Sequence, residues 1–164
     1  MLIGNPLAES SQWCGEMPEQ VPLFLAPMSG VTDVAYRLLA REAGADFTST
    51  EFTAASGLSR QDARSWAKVE THSREDPFIP QIFVGIEDEM VETARLLSQN
   101  ADVIDLNFGC PAPKVTKTCA GAAMMAAPDH PISTVERWIE ASKVPHSVQM
   151  RMVTGHGCLP VFAV

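Results

Sequence analysis

The sequence predicts an α/β fold built on a parallel sheet, and three observations carry that expectation. Short apolar runs alternate with amphipathic, helix-length segments at roughly 30-residue spacing, the pattern of repeated βα units. Polar and glycine-bearing segments fall where the apolar runs end, which is where parallel α/β proteins place their ligand loops. Composition agrees, since 46% hydrophobic and 20% charged residues describe a globular chain. The 164 residues suffice for one sizeable core, but a closed eight-stranded barrel needs roughly 200 or more.

The elements follow in order. Residues 1–20, broken by Pro6 and Pro18, read as a polar leader. Val21 to Ala26 is a buried strand stopped by Pro27. Thr32 or Asp33 caps a helix through Arg41 with Ala35, Leu38 and Leu39 on its apolar face, and Gly44 ends it where a left-handed residue is needed. Asp46 to Phe52 is a second strand by its threonine and aromatic content. Residues 53–68 read as irregularly helical and 69–77 as a charged loop. Pro77 to Val84 is a third strand, in which Pro80 suggests a bulge. Glu87 to Gln99 is the clearest helix: Glu87, Asp88 and Glu89 suit the positive end of its dipole, and Met90, Ala94 and Leu97 share a face. Asp102 to Asn107 is a fourth strand, Ile132 to Ser142 a helix, and Ser147 to Arg151 a fifth strand, with no helix following. Five parallel strands fit an open doubly wound sheet or part of a barrel, and periodicity does not choose between them.

Several function classes are excluded. Twelve Lys and Arg against 20 Asp and Glu give a net charge of −8, which argues against a dedicated nucleic-acid-binding domain while allowing a local basic loop. No run approaches the roughly 18 apolar residues of a membrane span, and the amino terminus lacks the pattern of a signal peptide. Cys14, Cys110, Cys119 and Cys158 are widely spaced without a CxxC pair, which points to reduced thiols in the cytoplasm. His72, His130, His146 and His156 do not pair with cysteines at zinc-finger spacing; His156-Gly-Cys158 is the nearest approach, and no metal is expected.

Chemistry gathers at the strand ends: Ala26 through Asp33, Thr50-Glu51, and Asn107-Phe108-Gly109-Cys110-Pro111. Gln81, Asp105 and Gln149 sit inside apolar strands and need partners, whether backbone, one another or a ligand. Gly109 allows a close backbone approach and Pro111 fixes the next turn, presenting Cys110 on a loop. A thiol in water titrates near about 8.5, so Cys110 can serve as a general acid, as a nucleophile beside a cation, or simply as a small buried hydrophobe. The lack of a suitably spaced histidine favours the acid over a protease-like nucleophile.

Leu25-Ala-Pro-Met-Ser-Gly-Val-Thr-Asp33, Thr50-Glu51, Gln81, Asp105-Leu-Asn-Phe-Gly-Cys-Pro111 and Lys114-Val-Thr-Lys117 together resemble the tRNA-dihydrouridine synthase family, from about Pro22 to Arg151. The resemblance implies an FMN-dependent reductase that saturates the C5=C6 bond of uridines in tRNA. In that family NADPH (or NADH) reduces the flavin, the flavin passes hydride to C6, and a cysteine protonates C5. It implies that Cys110 is the acid, that Pro27, Met28 and Ser29 line the flavin, and that Gln81 and Gln149 bind it. Asn107 then lies beside flavin and uracil, and Lys114, Lys117 and Arg151 face the RNA. Two departures stand out. Gln149 replaces the lysine of a usual Lys-Met-Arg stretch, and Thr118-Cys119 replace Arg-Gly, which strains Cys119 if its φ is positive.

On this resemblance, residues 21–151 form an incomplete TIM (β/α)₈ barrel of about five βα units, without the last strands, their flavin-phosphate loops or the helical RNA-binding domain. Residues 152–164 are then a divergent tail. The alternatives are a catalytically inactive fragment acting as an interaction module, and another small FMN-dependent reductase; the Lys-Val-Thr-Lys loop favours the RNA enzyme over the latter.

Overall fold

The computed structural model describes residues 21–126, 129–151, 153–154 and 157–158; the leader and most of the tail lie outside the described residues. Strand β1 (Phe24–Leu25) pairs in parallel with β2 (Phe47–Thr48). Strands β3 (Thr53–Ala54), β4 (Gln81–Phe83), β5 (Ile104–Asn107) and β6 (His146–Gln149) form a parallel sheet in that order. A parallel bridge between Ser49 and Ile79 joins the two sheets, so strand neighbours follow chain order. The helices are α1 (Val34–Glu42), α2 (Ala55–Ser59), α3 (Ala63–Lys68), α4 (Glu87–Leu97), α5 (Pro113–Thr116) and α6 (Asp129–Ala141). A short antiparallel pair, β7 (Val153–Thr154) with β8 (Gly157–Cys158), follows.

The parallel α/β alternation matches the sequence reading, and several details differ. The second expected strand shortens to β2, with β3 lying just beyond its expected end, and between them Thr50 still bonds to the next strand. Its N–H donates to the Ile79 carbonyl at 3.1 Å, and its Oγ1 accepts from Gln81 N–H at 3.0 Å. The 53–68 stretch opens with β3 and breaks between α2 and α3, where Gln61 has φ 57°. Pro80 makes no bulge; it precedes β4, and its carbonyl still accepts from Asp105 N–H at 3.0 Å, so its missing donor falls outside the ladder.

Among the described residues, every member of the buried apolar cluster lies at or beyond Ala55. Met90, Ala94 and Leu97 bury the inward face of α4 as expected, against Leu58, Ile82, Leu106 and Trp138. Residues 21–54 make the Phe52–Phe83 ring contact and otherwise dock chiefly by polar contacts. Asp33 caps α1 by accepting from Tyr36 N–H at 2.8 Å, and Gly44 follows its end with φ 103°. The expected apolar face of α1 is not its inward face, since Ala35 and Leu39 are exposed. Arg37 is fully buried because Glu75 waits beneath it. The guanidinium pairs with both Glu75 oxygens and donates to Thr32 O at 2.8 Å and Glu70 O at 2.6 Å. Glu75 also accepts from Thr71 Oγ1 at 2.9 Å and Thr48 Oγ1 at 3.3 Å. The 69–77 segment is the expected charged loop, mostly exposed, and through its buried Glu75 it also clamps α1 and β2. The first strand is not buried either: Val21, Leu23 and Phe24 are exposed, because β1 has β2 on one side and no described strand on the other.

At the far end of the sheet, the Trp138 and His146 rings lie 5.1 Å apart, both buried. Burial holds His146 neutral, lowering its pKa from 6.5 to about 4.

Two stability predictions follow from these buried groups. Glu75→Ala leaves Arg37 charged and unpaired in the interior, and denaturant unfolding should show a loss of about 3–5 kcal/mol. A loss below about 1 kcal/mol, the scale of a surface pair, would show that the clamp does not hold the first unit. His146 acts through pH. As pH falls below 6.5 the unfolded chain takes a proton that the folded one refuses, so stability drops through the window down to about 4. Asp105, pushed up by burial, works in the opposite sense, so His146→Phe must serve as the reference. Between pH 7.5 and 4.5 the unaltered chain should lose about 2.5 kcal/mol more than His146→Phe; equal losses would show that His146 titrates normally.

Candidate active site

In a parallel sheet in register, residues two apart on one strand face the same side and lie level with their counterparts next door. Gln81 pairs with Asp105 across β4–β5, and Asp105 and Asn107 pair with Ser147 and Gln149 across β5–β6. Five polar side chains thus share one face across three strands, from Gln81 at the start of β4 to Asn107 and Gln149 at the carboxyl ends of β5 and β6. Pro27, Phe52, Asn107, Cys110, Gln149 and Arg151, all following strands or ending them, line an open cleft of about 600 Å³ there.

The partners that Gln81, Asp105 and Gln149 need are one another. Gln81 Nε2 donates to Asp105 Oδ2 at 2.5 Å and to Gln149 Oε1 at 2.7 Å. Asn107 Nδ2 donates to Gln81 Oε1 and to Gln149 Oε1, each at 3.0 Å. Ser147 Oγ donates to Asp105 Oδ1 at 2.5 Å. Gln81 and Asp105 are buried and Gln149 is exposed, so the network runs from the interior to the cleft surface. Burial pushes the Asp105 carboxyl above the usual carboxylate range, against the hydrogen bonds from Gln81 and Ser147.

Cys110 is half-buried, a free thiol at the cleft wall. Asn107 Oδ1 holds its loop by accepting from Gly109 N–H at 3.1 Å and Cys110 N–H at 2.8 Å. The close backbone approach is not at Gly109, where a Cβ would find only ordinary contacts from 3.5 Å. It is at Gly121, where φ is 58° and a Cβ would meet the Cys110 carbonyl oxygen at 2.6 Å. Ala122 N–H donates to that same carbonyl at 2.9 Å. Cys119 has φ 55°, the strained condition foreseen for a side chain there, with a cost of roughly 1–2 kcal/mol.

The remaining candidates are arranged around this centre. Pro27 lines the cleft, whereas Met28 and Ser29 are exposed on a turn in which Met28 O accepts from Val31 N–H and Thr32 N–H. Glu51 holds that turn by accepting from Gly30 N–H at 2.9 Å, with Ser29 Oγ at 3.5 Å. Lys114 on α5 and Lys117 just after it are exposed, and neither lines the cleft. Arg151 Nη1 donates to Gly109 O at 3.1 Å, tying the end of β6 to the cysteine loop. Ser147 and Phe52 were not among the candidates. The two-residue spacing of Ser147 from Gln149 was the signal for the first, and the strand-end position of Phe52 for the second. Among the described residues, no group of three or more His, Cys, Asp or Glu is placed to hold a metal ion, and no helix is long and apolar enough to cross a membrane. His156 lies outside the described residues.

A parallel sheet with an amide-lined cleft and a loop thiol beyond its strands defines an α/β protein whose polar groups gather where folds of this class place their ligand loops. The family model described as "Dihydrouridine synthase (Dus)" matches residues 24–159, running past the Arg151 where the motif resemblance stops. The chain belongs to that family. It is similar to a "Probable tRNA-dihydrouridine synthase" of Rhizobium leguminosarum bv. phaseoli, 37% identical over 131 residues, covering 79% of this chain and 41% of the relative. Another of that name, from Treponema pallidum (strain Nichols), is 35% identical over 136 residues, with 79% and 40% covered. A "tRNA-dihydrouridine(47) synthase [NAD(P)(+)]-like" protein of Oryza sativa subsp. japonica is 32% identical over 131 residues, with 79% and 19% covered. The chain thus spans about two-fifths of the length of the bacterial relatives it matches.

Proposed function

We propose that residues 21–151 supply the cofactor-facing and proton-donating part of a site that reduces the C5=C6 bond of uridine in tRNA. One observation carries the reading: the Cys110 loop and the amides of Asn107 and Gln149 open into one cleft at the strand ends. The neighbour-by-neighbour order of β1 through β6 supports an arc of about five βα units of a TIM barrel.

The donor set fits FMN. Primary amides both donate and accept, which suits the alternating polar edge of a flavin ring. Gln81, Asn107 and Gln149 are the residues to hold that edge, with Pro27, Met28 and Ser29 beside it. Bound FMN supplies hydride for uracil C6 and takes it from NAD(P)H. Both Gln81 N–H groups and its oxygen are engaged within the protein, so binding relies on exposed Gln149 turning outward and releasing the donors of Gln81 and Asn107. Cys110 holds a proton at Sγ for uracil C5. Lys114, Lys117 and Arg151 offer cations to RNA phosphates. Free Cys110 and Cys119 support action in the cytoplasm. The exposed apolar residues of the first unit favour a second reading, an interaction module without catalysis.

A chimera separates the two readings. Residues 21–151 are placed in the Rhizobium relative in exchange for its matching segment, and dihydrouridine in tRNA is measured by mass spectrometry. Product should form, and Cys110→Ala should lower it by roughly 10²-fold or more while NADPH-driven flavin reduction persists. A folded chimera that neither binds FMN nor forms product supports the interaction module. In the same background, Gln149→Lys frees two amide donors and adds a cation. FMN should bind about threefold to tenfold more tightly, the worth of one hydrogen bond; an unchanged Kd by fluorescence titration would give position 149 no part in cofactor binding.

A further inference from the structure

The geometry points to Asp105 as a positioning residue for Cys110: its carboxylate orders the amides of Gln81 and Asn107, and Asn107 holds the backbone that carries the thiol. This deepens the proposed function and rests on Cys110 being the working thiol of that site.

The ordering starts at the buried Asp105 carboxyl. An ionised carboxylate only accepts hydrogen bonds. Asp105 Oδ1 accepts from Ser147 Oγ and Oδ2 from Gln81 Nε2, both at 2.5 Å. Turning the Gln81 amide over would set two acceptors against each other at that distance, so Nε2 faces Asp105. Gln81 Oε1 then points to Asn107, whose Nδ2 donates to it at 3.0 Å. With Nδ2 committed, Asn107 Oδ1 faces the loop and accepts from Gly109 N–H and Cys110 N–H. One buried carboxyl that accepts at both oxygens therefore selects a single orientation for two amides in series, and the series ends on the peptide N–H of Cys110 itself. Both Asp105 bonds go to neutral groups, so no cation offsets the desolvation of its carboxyl, which apolar packing at that position would not incur. Gln149 Oε1 accepts from both amides at the exposed edge, and its departure leaves the series intact.

The test uses the 164-residue chain and reads hydrogen exchange at the Gly109 and Cys110 amides by NMR, with Cys110 alkylation by iodoacetamide mapped by mass spectrometry. Neither readout depends on uridine reduction. In Asp105→Leu, exchange at both amides should quicken about tenfold, the worth of roughly one buried hydrogen bond, and the alkylation rate should change in step. The Ile104 and Leu106 amides should stay protected. Asp105→Asn should restore both readouts, because its carboxamide oxygen can face Gln81 while its NH₂ meets Ser147 Oγ. Asn107→Ala should match Asp105→Leu, and the double variant should add nothing, since both cut one series. Unchanged exchange in Asp105→Leu overturns the inference, as does a loss that Asp105→Asn does not recover. If the Leu variant does not fold, the unaltered chain decides. A protected Gln81 Nε2 proton supports the series, and free exchange there refutes it. Protected Gly109 and Cys110 amides in a chimera that makes no dihydrouridine would count against the proposed function and leave the positioning role standing.

Discussion

The Arg37–Glu75 ion pair is buried on both sides, and the first βα unit docks onto the rest of the molecule through it. Apolar packing does not perform that task, since the buried cluster begins at Ala55. Buried pairs repay their desolvation only when further hydrogen bonds meet their remaining donors and acceptors, and here four of the five guanidinium N–H groups and both carboxylate oxygens are engaged. The guanidinium reaches two carbonyls beyond the carboxylate, and the carboxylate takes two threonine hydroxyls beyond the guanidinium. Arg41, one turn on along the same inward side of α1, donates to Asp46 O at 2.5 Å and also to Asp76 O. The position of Pro27 in the cleft, and of the turn held by Glu51, depends on this polar docking rather than on shape.

Glu75 and Asp105, both buried, solve one problem in opposite ways. Glu75 meets a cation and serves the joint between units. Asp105 meets a neutral amide and a hydroxyl, so its burial goes uncompensated by opposite charge and its carboxyl is pushed upward. That difference follows location. A full ion pair beneath the cleft would fix a strong local field where an exchangeable ligand has to sit, whereas amides are neutral and can swap partners. The cleft floor is correspondingly a set of groups that bond equally well to each other or to a ring edge.

Much of this was readable from the residues. Met90, Ala94 and Leu97 declared the inward face of α4, a helix whose apolar spacing and acidic first turn agree with its burial. The strand-end clustering of Asn107, Cys110 and Gln149 was legible because polar residues inside apolar strands need a reason. Asp105, Gln81 and Gln149 gave their demand for partners, though not which partners, because that follows from register across strands 24 and 68 residues apart. What stayed hidden was long-range. Leu38 and Leu39 advertise an apolar face on α1, and a distant glutamate overrides it by drawing Arg37 inward. Gly109 drew attention from its place in the motif, yet the tight approach belongs to Gly121, which meets Cys110 only after the chain turns back.

The separation of Arg37 from its partner also imposes an order on events at the ribosome. The two residues are 38 apart in the chain, which corresponds to roughly 2–8 s of synthesis at typical elongation rates. During that interval α1 has its cap and its own hydrogen bonds but no carboxylate to receive its guanidinium. The strands after Ala54 meet an already emerged neighbour each time, because sheet order follows chain order. The first unit to be made therefore waits, and its docking coincides with the emergence of Glu75, just ahead of the strand that carries Gln81.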